Sequence, residues 1–272
     1  MFPGAATDRT EADYAILGAP LDRSTTFRPG TRFGPRRIRE AATPFEDYDH
    51  HTDQQFTDLG VYDHGDIQPG DTAEYLQFLA GTITDFAEEN ILPLLLGGEH
   101  TVTVPAVRAL DPDVYVCLDA HLDLRESYAG DELSHATVTH HVAEIVDEVV
   151  LLGARAGSET EWERVERERG APVTVVPPGE VGSWTPPTTD DADTDLYLSV
   201  DIDAADPGFA PGTGTPEPFG LDPTTMHEVV RAVAPQAVGF DVVEVNDRDD
   251  GQAAALAAKL LRAFVYAHAA DD

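Results

Sequence analysis

The chain has 272 residues, and its 17 basic and 51 acidic side chains give a formal net charge of −34. Hydrophobic residues make up 42% of it and stand in compact blocks, which supports a packed core and excludes a disordered acidic tail. The charge excludes nucleic acids and anionic membranes as partners, because their phosphates need a positive surface. The length suits one α/β domain or two small ones, and the alternation of strands and helices along the whole chain predicts a single domain over residues 1–272.

Short apolar runs recur along the chain, and each predicts a strand that is buried on both faces. The runs cover residues 14–17, 91–96, 114–118, 149–152, 173–176, 196–200 and 238–243. Strands of this kind are typical of parallel sheets, which are covered by helices on both sides.

Helix signals alternate with these strands. Asp71 with Glu74 and Ser158 with Glu161 read as capping boxes, and Asp222 stands before a first-turn proline. An alanine-rich closing helix is predicted over residues 253–267, and residues 177–194 are predicted to form a long surface loop. The alternation predicts a three-layer α/β fold with helices on both faces of a mainly parallel sheet.

Four of the predicted strands end in polar residues, at the edge of a parallel sheet where ligands bind. Their endings are Gly97-Gly98-Glu99-His100, Asp119-Ala120-His121-Leu122-Asp123, Asp201-Ile202-Asp203 and Glu244-Val245-Asn246. Residues two apart in extended chain project to the same side, so the second and third endings each present a row of ligand-type side chains. Buried carboxylates and imidazoles at this density repel one another without a cation, so they predict a metal centre.

The donor types indicate which metal. Carboxylate oxygens with two imidazoles suit Mn²⁺, whereas a structural zinc site of thiolates is excluded because Cys117 is the only cysteine. The number of candidate ligands exceeds what one ion with an open position needs, which favours two ions bridged by carboxylates. The candidate ligands are His100, Asp119, His121, Asp123, Asp201 and Asp203.

These segments resemble the ureohydrolase family, which comprises arginase, agmatinase and related enzymes that act on guanidino acids. The resemblance extends over most of the chain and rests on residues 18–22 (GAPLD), 25–30 (TTFRPG), 97–100 (GGEH), 119–123 (DAHLD), 199–203 (SVDID) and 211–217 (PGTGTPE). It implies an arginase/deacetylase-like fold, two Mn²⁺ ions per subunit, a bridging hydroxide that hydrolyses a guanidino group, and a homo-oligomer, either trimer or hexamer.

The resemblance also implies roles for individual residues. One ion would be held by His100, Asp119, Asp123 and Asp201, and the other by His121, Asp119, Asp201 and Asp203. Glu244 would bind the guanidinium, and Thr215 would contact the substrate. Asp123 and His135 would deliver the proton to the departing amine.

The motifs indicate the substrate less specifically than they indicate the metals and the reaction. Residues 119–125 and 134–137 resemble prokaryotic agmatinases, which implies hydrolysis of agmatine to putrescine and urea in polyamine biosynthesis. In arginases an asparagine that helps to bind the α-carboxylate stands where this sequence has Arg125. Arg125 can instead pair with a substrate carboxylate, which keeps a guanidinobutyrase or another guanidino-acid ureohydrolase as the alternative. Arginase and formiminoglutamase fit less well, and a larger agmatine derivative stays open.

Two other classes of protein share some of these features. Acetylpolyamine deacetylases have a related fold but use one Zn²⁺ and a pair of histidines, and the row of Asp201 and Asp203 together with Glu244 argues against them. A relative that only binds ligands would have lost a metal ligand, whereas all the candidate positions are filled here.

The composition also predicts a habitat. Lys259 is the only lysine, and the acidic residues are spread over the whole chain. Molar salt shortens the Debye length to about 3 Å and screens the repulsion among such charges. The composition is therefore typical of cytoplasmic proteins of salt-accumulating halophiles. The single cysteine and the absence of signal-peptide features also favour the cytoplasm.

Overall fold

The computed structural model describes residues 1–68, 70–166, 170–187, 194–246 and 248–270. The strands in chain order are β1 (Tyr14–Ala19), β2 (Tyr48–Asp49), β3 (Gln54–Gln55), β4 (Val61–Asp66), β5 (Leu92–Gly97), β6 (Val114–Leu118), β7 (Glu148–Leu152), β8 (Val173–Val176), β9 (Leu196–Asp201) and β10 (Ala237–Val243). The α-helices are α1 (Gly34–Ala41), α2 (Thr72–Glu88), α3 (Thr103–Leu110), α4 (Val138–Val142), α5 (Glu159–Glu166), α6 (Pro178–Val181), α7 (Pro223–Val233) and α8 (Gln252–Ala269).

Eight strands form one sheet in the order β4-β1-β5-β10-β9-β6-β7-β8. Every neighbouring pair in it is parallel, while β2 and β3 form a separate antiparallel hairpin. The seven strands predicted from apolar runs are all present in the large sheet. The mainly parallel sheet expected from the sequence is thus confirmed.

Helices cover both faces of this sheet and give the predicted three layers. One face packs against α1, α7 and α8 in a core that includes Ile16, Val116 and Leu261. The other face packs against α2, α3 and α4 in a core that includes Leu17 and Leu79. Successive strand residues point to opposite layers, and burying each large aliphatic side chain contributes about 1.5–3 kcal/mol.

The edge strand β4 is absent from the predicted elements because four of its six residues are charged, histidine or glycine. Its sequence is Val-Tyr-Asp-His-Gly-Asp, and its burial alternates along its first half. It lies beside β1 at the edge of the sheet, where a strand needs fewer apolar residues than a central one.

The surface loop predicted over residues 177–194 is wrong at its start. Residues Pro178–Val181 form the short helix α6, with a proline in the first turn and Val181 buried beneath it. A proline is favoured at that position because its fixed φ suits the helix and its missing N–H is not needed there. Residues 188–193 of the predicted loop lie outside the described residues.

The predicted helix starts are confirmed. The Asp71 carboxylate accepts from the backbone N–H groups of Ala73 and Glu74, and Asp222 caps α7 in the same way. At α5 the Glu161 carboxylate accepts the Ser158 N–H at 2.8 Å. No helix in the described part of the chain is long and apolar enough to cross a membrane.

A buried ion pair joins α1 to the edge strand. The Arg39 guanidinium donates to both oxygens of Asp63 at 2.8 Å and to Asp66 Oδ1 at 2.6 Å. Burial alone would raise the pKa of Asp63, but the hydrogen bonds from Arg39 overcome it and hold the pKa below its usual value. The pair therefore stabilises the edge of the sheet as long as Asp63 is ionised.

We expect Asp63→Asn to lower the free energy of unfolding by up to about 3–5 kcal/mol, because it removes one of the two carboxylates that pair with the buried Arg39 guanidinium and leaves Asp66 as the other. The depressed pKa means that the ion pair contributes fully above the unfolded value of about 3.9 and is lost as the pH falls through the folded value. Urea unfolding of both proteins from pH 7 downward measures this difference. Asp58→Asn, at an exposed position, is the control. A constant difference down to pH 2 would contradict the assignment.

Candidate binuclear metal site

The carboxyl ends of four adjacent strands meet in the middle of the sheet. β5, β10, β9 and β6 are neighbours in that order, so the segments that follow them lie side by side. His100 follows β5, Asp119 and His121 follow β6, Asp201 ends β9 and Glu244 follows β10. The fold therefore brings together residues that are up to about 145 positions apart in the sequence.

His100 lies on a buried 3₁₀ turn, His100–Val102, that begins shortly after β5. Its Nδ1 atom is 3.3 Å from Asp119 Oδ2, 3.2 Å from Asp123 Oδ2 and 3.6 Å from Asp201 Oδ2. One imidazole nitrogen thus faces three carboxylates, which together offer the donor types that Mn²⁺ and similar divalent ions bind.

The other ring nitrogen of His100 faces hydroxyl groups. Its Nε2 atom is 3.2 Å from Ser199 Oγ and from Tyr115 OH. Ser199 Oγ donates to Asp241 Oδ1 at 2.6 Å, so it accepts a hydrogen bond from His100. This contact places the proton on Nε2 and leaves the Nδ1 lone pair directed at the carboxylates. Cys117 Sγ is also near Nε2, at 3.9 Å.

The second imidazole faces a second pair of carboxylates. His121 Nδ1 is 3.0 Å from Asp203 Oδ2 and 3.7 Å from Asp119 Oδ1. Asp119 therefore presents one oxygen to each imidazole and stands between the two groups. Backbone amides hold the carboxylates in place: Asp119 Oδ1 accepts from the His121 N–H at 2.7 Å, and Asp201 Oδ1 accepts from the Asp203 N–H at 2.8 Å.

The buried carboxylates are costly without a cation. Burial, with the charges of Asp203 and Asp119, raises the pKa of Asp201 well above its usual value. Burial and the charge of Asp119 raise the pKa of Asp123 to about 7. Two close-packed donor groups share Asp119, one containing His100 and the other His121 and Asp203. The donors thus fit two divalent cations bridged by a carboxylate, which would offset the repulsion.

Glu244 lies beside this cluster, at the end of β10. Its backbone adopts a left-handed conformation with φ 61°, and its N–H donates to the Gly98 carbonyl at 2.8 Å. Gly98 is required there, because a Cβ on it would lie 1.9 Å from the Leu21 carbonyl oxygen. Glu244 Oε1 accepts the His100 N–H at 2.9 Å. Burial raises the pKa of Glu244 well above its usual value, and a cation bound beside it would lower that pKa and favour the ionised carboxylate.

His135 stands at the wall of the site on the turn His135–Thr137. Its Nδ1 is 3.0 Å from Ser24 Oγ, which donates to Glu99 Oε1 at 2.9 Å. Because the Ser24 hydroxyl donates its hydrogen to Glu99, it accepts a hydrogen bond from His135 Nδ1–H. Nε2 is then the ring nitrogen of His135 that can exchange protons. Burial lowers the pKa of His135, which favours its neutral form.

A cavity of about 310 Å³ opens above the cluster, and its lining includes the two imidazoles, Asp123, Glu244 and His135. Thr215 also lines it and donates from Oγ1 to Asp203 Oδ2 at 3.2 Å. Arg125 lies at the same cavity, but its guanidinium is 3.3 Å from Glu161 Oε2. All the predicted site residues except Asp119 line this cavity, and Asp119 is buried beside the two imidazoles.

Several residues that support the site were not predicted from the sequence. Asp241 could have been found, because an acid inside the buried run of β10 needs hydrogen-bond partners. Ser24 and Glu99 could not be found, because they are 75 positions apart in the sequence. Only the folded chain brings Ser24 into contact with both Glu99 and His135. Glu217 belongs to the motif of residues 211–217 but had no predicted role of its own, and it lines the cavity.

The fold and the site together define a class of protein: an α/β protein whose central strand ends form a site for two metal ions. The family model described as the Arginase family matches residues 12–266. The chain belongs to the arginase family, whose members depend on two metal ions, and it is a hydrolase of that family.

Curated relatives cover nearly the whole chain. The agmatinase of Pyrococcus horikoshii is 36% identical over 93% of this chain and 91% of its own. The N(1)-aminopropylagmatine ureohydrolase of Thermococcus kodakarensis is 36% identical over 92% and 89%. The guanidinobutyrase of Pseudomonas aeruginosa is 35% identical over 92% and 84%. Among solved structures, the agmatine ureohydrolase of Thermoplasma volcanium aligns with TM-score 0.89 and 31% identity, over 99% of this chain and 94% of that one.

Proposed function

We propose that this chain hydrolyses the guanidino group of agmatine to putrescine and urea, with two Mn²⁺ ions as cofactors. The observation that carries the proposal is Glu244, a buried carboxylate in the same cavity as the two imidazole–carboxylate groups. Agmatinases are among the relatives at 36% identity. A guanidinium is planar and stays protonated at neutral pH, so a buried carboxylate is the partner that suits it.

The ions would be held by His100, Asp119, His121, Asp123, Asp201 and Asp203. When bound, they supply a water of lowered pKa next to the substrate carbon. Mn²⁺ suits this mixture of carboxylate oxygens and imidazole nitrogens.

The side chains of this protein position the substrate and move the proton. Glu244 accepts paired hydrogen bonds from the guanidinium and fixes its plane, while Thr215 lies at the edge of the same cavity. Water adds to the central carbon, the bond to the alkyl-bearing nitrogen breaks, and that nitrogen keeps the electron pair. One proton of the added water passes to the leaving nitrogen through Asp123 and His135, so that guanidinium and water give urea and a protonated primary amine.

We expect His135→Asn to lower kcat by about a hundredfold, because a positioned proton donor contributes at least that much. Metal content should stay at the wild-type value, since the His135 ring hydrogen-bonds Ser24 and not a carboxylate of the metal site. Steady-state urea release and elemental analysis measure the two quantities. His227→Asn, on α7, is the control. A full kcat in the His135 variant would remove this residue from the reaction.

A guanidinobutyrase is the second candidate. Arg125 at the cavity favours it, because a guanidinium can pair with a substrate carboxylate. The contact between Arg125 and Glu161 weakens it, since that charge already has a partner. The Thermococcus relative is the reason to include a larger agmatine derivative among the substrates tested.

Urea release in about 2–3 M salt with Mn²⁺ tests the proposal, because the acidic surface needs screening. We expect kcat/KM to be highest for agmatine among agmatine, 4-guanidinobutyrate and arginine. Preference for 4-guanidinobutyrate would select the second candidate, and no urea from any of them would refute both.

We also propose that the enzyme acts in the cytoplasm of a halophile as a trimer or hexamer. Activity against salt concentration and the mass in solution test these points.

A further inference from the structure

The charges at the cavity mouth indicate which kind of substrate tail it accepts. Glu161 has an almost fully buried side chain, and its Oε2 lies 3.3 Å from Arg125 Nη2. The Arg125 guanidinium also stacks on Tyr128, with its central carbon 5.1 Å from the ring centroid. A guanidinium held between a carboxylate and an aromatic face presents little net charge to the cavity. Arg125 is therefore a weak partner for a substrate carboxylate.

Glu217 is the acid at this mouth that keeps its exposure. Its side chain retains 42% of its accessible surface and lines the same cavity as Glu244. The nearest cationic group to it among the described residues is His121, whose Nε2 lies 4.0 Å from Glu217 Oε1. That separation exceeds a hydrogen bond, so the Glu217 carboxylate retains capacity for another cation.

The backbone that carries Glu217 is held rigidly. Arg155 donates to the carbonyls of Glu217 at 2.7 Å and Pro218 at 3.1 Å. The same guanidinium donates to the carbonyls of Asp203 at 2.9 Å and Ala204 at 3.2 Å. One side chain thus ties the Glu217 segment to the segment that carries Asp203 at the metal site. Because the backbone at Glu217 is already ordered, little backbone entropy is lost when its carboxylate binds a ligand, which raises the affinity for that ligand.

We propose that Glu217 is a specificity-determining residue, which binds the ammonium at the far end of the substrate. The inference rests on the proposed function, because Glu244 must hold the guanidinium end. A substrate with cations at both ends then meets two carboxylates in the same cavity, the buried Glu244 and the exposed Glu217. A guanidino acid would instead bring its carboxylate towards Glu217, with the Arg125 charge already paired. Agmatine and its amine-bearing derivatives are selected for this reason.

Glu217 could also act only by orienting His121, since a carboxylate commonly faces the outer nitrogen of a metal-binding imidazole. The two roles predict different results. An orienting role would affect every substrate equally and would lower the metal content. A specificity role depends on the charge of the substrate tail.

The test compares agmatine with butylguanidine, which has an alkyl tail of the same length but no amine. In the Mn²⁺-loaded protein, Glu217→Gln should lower kcat/KM for agmatine by about tenfold to a hundredfold, mainly through KM, since charged hydrogen bonds contribute on that scale. The ratio of agmatine to butylguanidine should fall by a similar factor, and the bound metal should stay at the wild-type amount. Glu126→Gln is the matched control, because Glu126 is exposed nearby and does not line this cavity.

Calorimetric titration of the metal-loaded His135→Asn protein, in which turnover is expected to be about a hundredfold slower, measures the binding of the same two guanidines with and without Glu217→Gln. A preference for agmatine that Glu217→Gln removes supports the inference, even if urea release by the wild type fails and refutes the proposed function. An equal loss for both ligands, a fall in metal content that accounts for the loss, or an unchanged ratio would overturn it.

Discussion

Asp201→Asn is expected to abolish activity and to weaken metal binding by about a thousandfold. That is the size of effect expected when one charge is removed from a group of buried, paired charges. Asp201 is buried, with Oδ2 at 3.6 Å from His100 Nδ1 and Oδ1 accepting from the Asp203 backbone. Asparagine keeps the size and can keep that backbone hydrogen bond, so the change removes the charge alone. Urea release and titration with Mn²⁺ measure the two losses.

The same substitution should make the metal-free protein more stable. Asp201 lies among other buried carboxylates, and the charges of Asp203 and Asp119 oppose its ionisation. Removing one of them relieves repulsion that a cation would otherwise offset. Scanning calorimetry with a chelator should therefore show a higher Tm for the variant, and added Mn²⁺ should raise Tm only in the wild type. Asp85→Asn, at an exposed position on α2, is the control. Full activity and metal content in Asp201→Asn would disprove the metal assignment.

Glu244→Gln is expected to lower kcat/KM by about 10²–10³-fold, the range for removing one partner of a buried charge pair. Glutamine is nearly the same size and can still accept the His100 N–H, which Glu244 Oε1 now accepts at 2.9 Å. It cannot offer the guanidinium a negative charge. The loss should therefore appear in catalysis while the bound metal stays near the wild-type amount.

Glu228→Gln, at an exposed position on α7, separates this effect from a general change of charge. Kinetics with agmatine and elemental analysis of the same samples give both quantities. If kcat/KM stayed at the wild-type value, Glu244 would have no contact with the reacting group. If the metal were lost as well, Glu244 would belong to the metal site instead.

Most of the sheet could be predicted because buried parallel strands leave a plain signal. Runs such as residues 114–118 are apolar at every position, and the structure buries all of β6. β4 lacks that signal, since an edge strand tolerates the polar residues Asp63, His64 and Asp66. Helix α6 was missed for a different reason: two prolines in a row read as loop, although the second stands where a helix accepts one.

The site was predictable where its residues follow strands at a spacing of two. Asp119, His121 and Asp123 all follow β6, but β6 ends at Leu118 and Asp123 has a left-handed φ of 51°, so the extended alternation expected from the sequence does not continue to Asp123. Their hydrogen-bond partners were not predictable in this way. The contacts from Ser24 to His135 and from Arg155 to Glu217 join loops, and loop positions depend on tertiary packing. The pairing of Arg125 with Glu161 belongs to the same group, and it changes what Arg125 can offer a substrate.

The position of β10 in the sheet bears on how the protein acquires its site during synthesis. This strand is the last in the chain, yet it lies between β5 and β9 and joins the two halves of the sheet. Until residues 237–243 leave the ribosome, the β5 half carrying His100 has no partner strand on that side, and Asp119 and Asp201 belong to the other half. A nascent chain that stops short of β10 contains all the metal donors, but the strand that joins His100 to the half carrying Asp119 and Asp201 is missing, so metal loading should follow translation rather than accompany it.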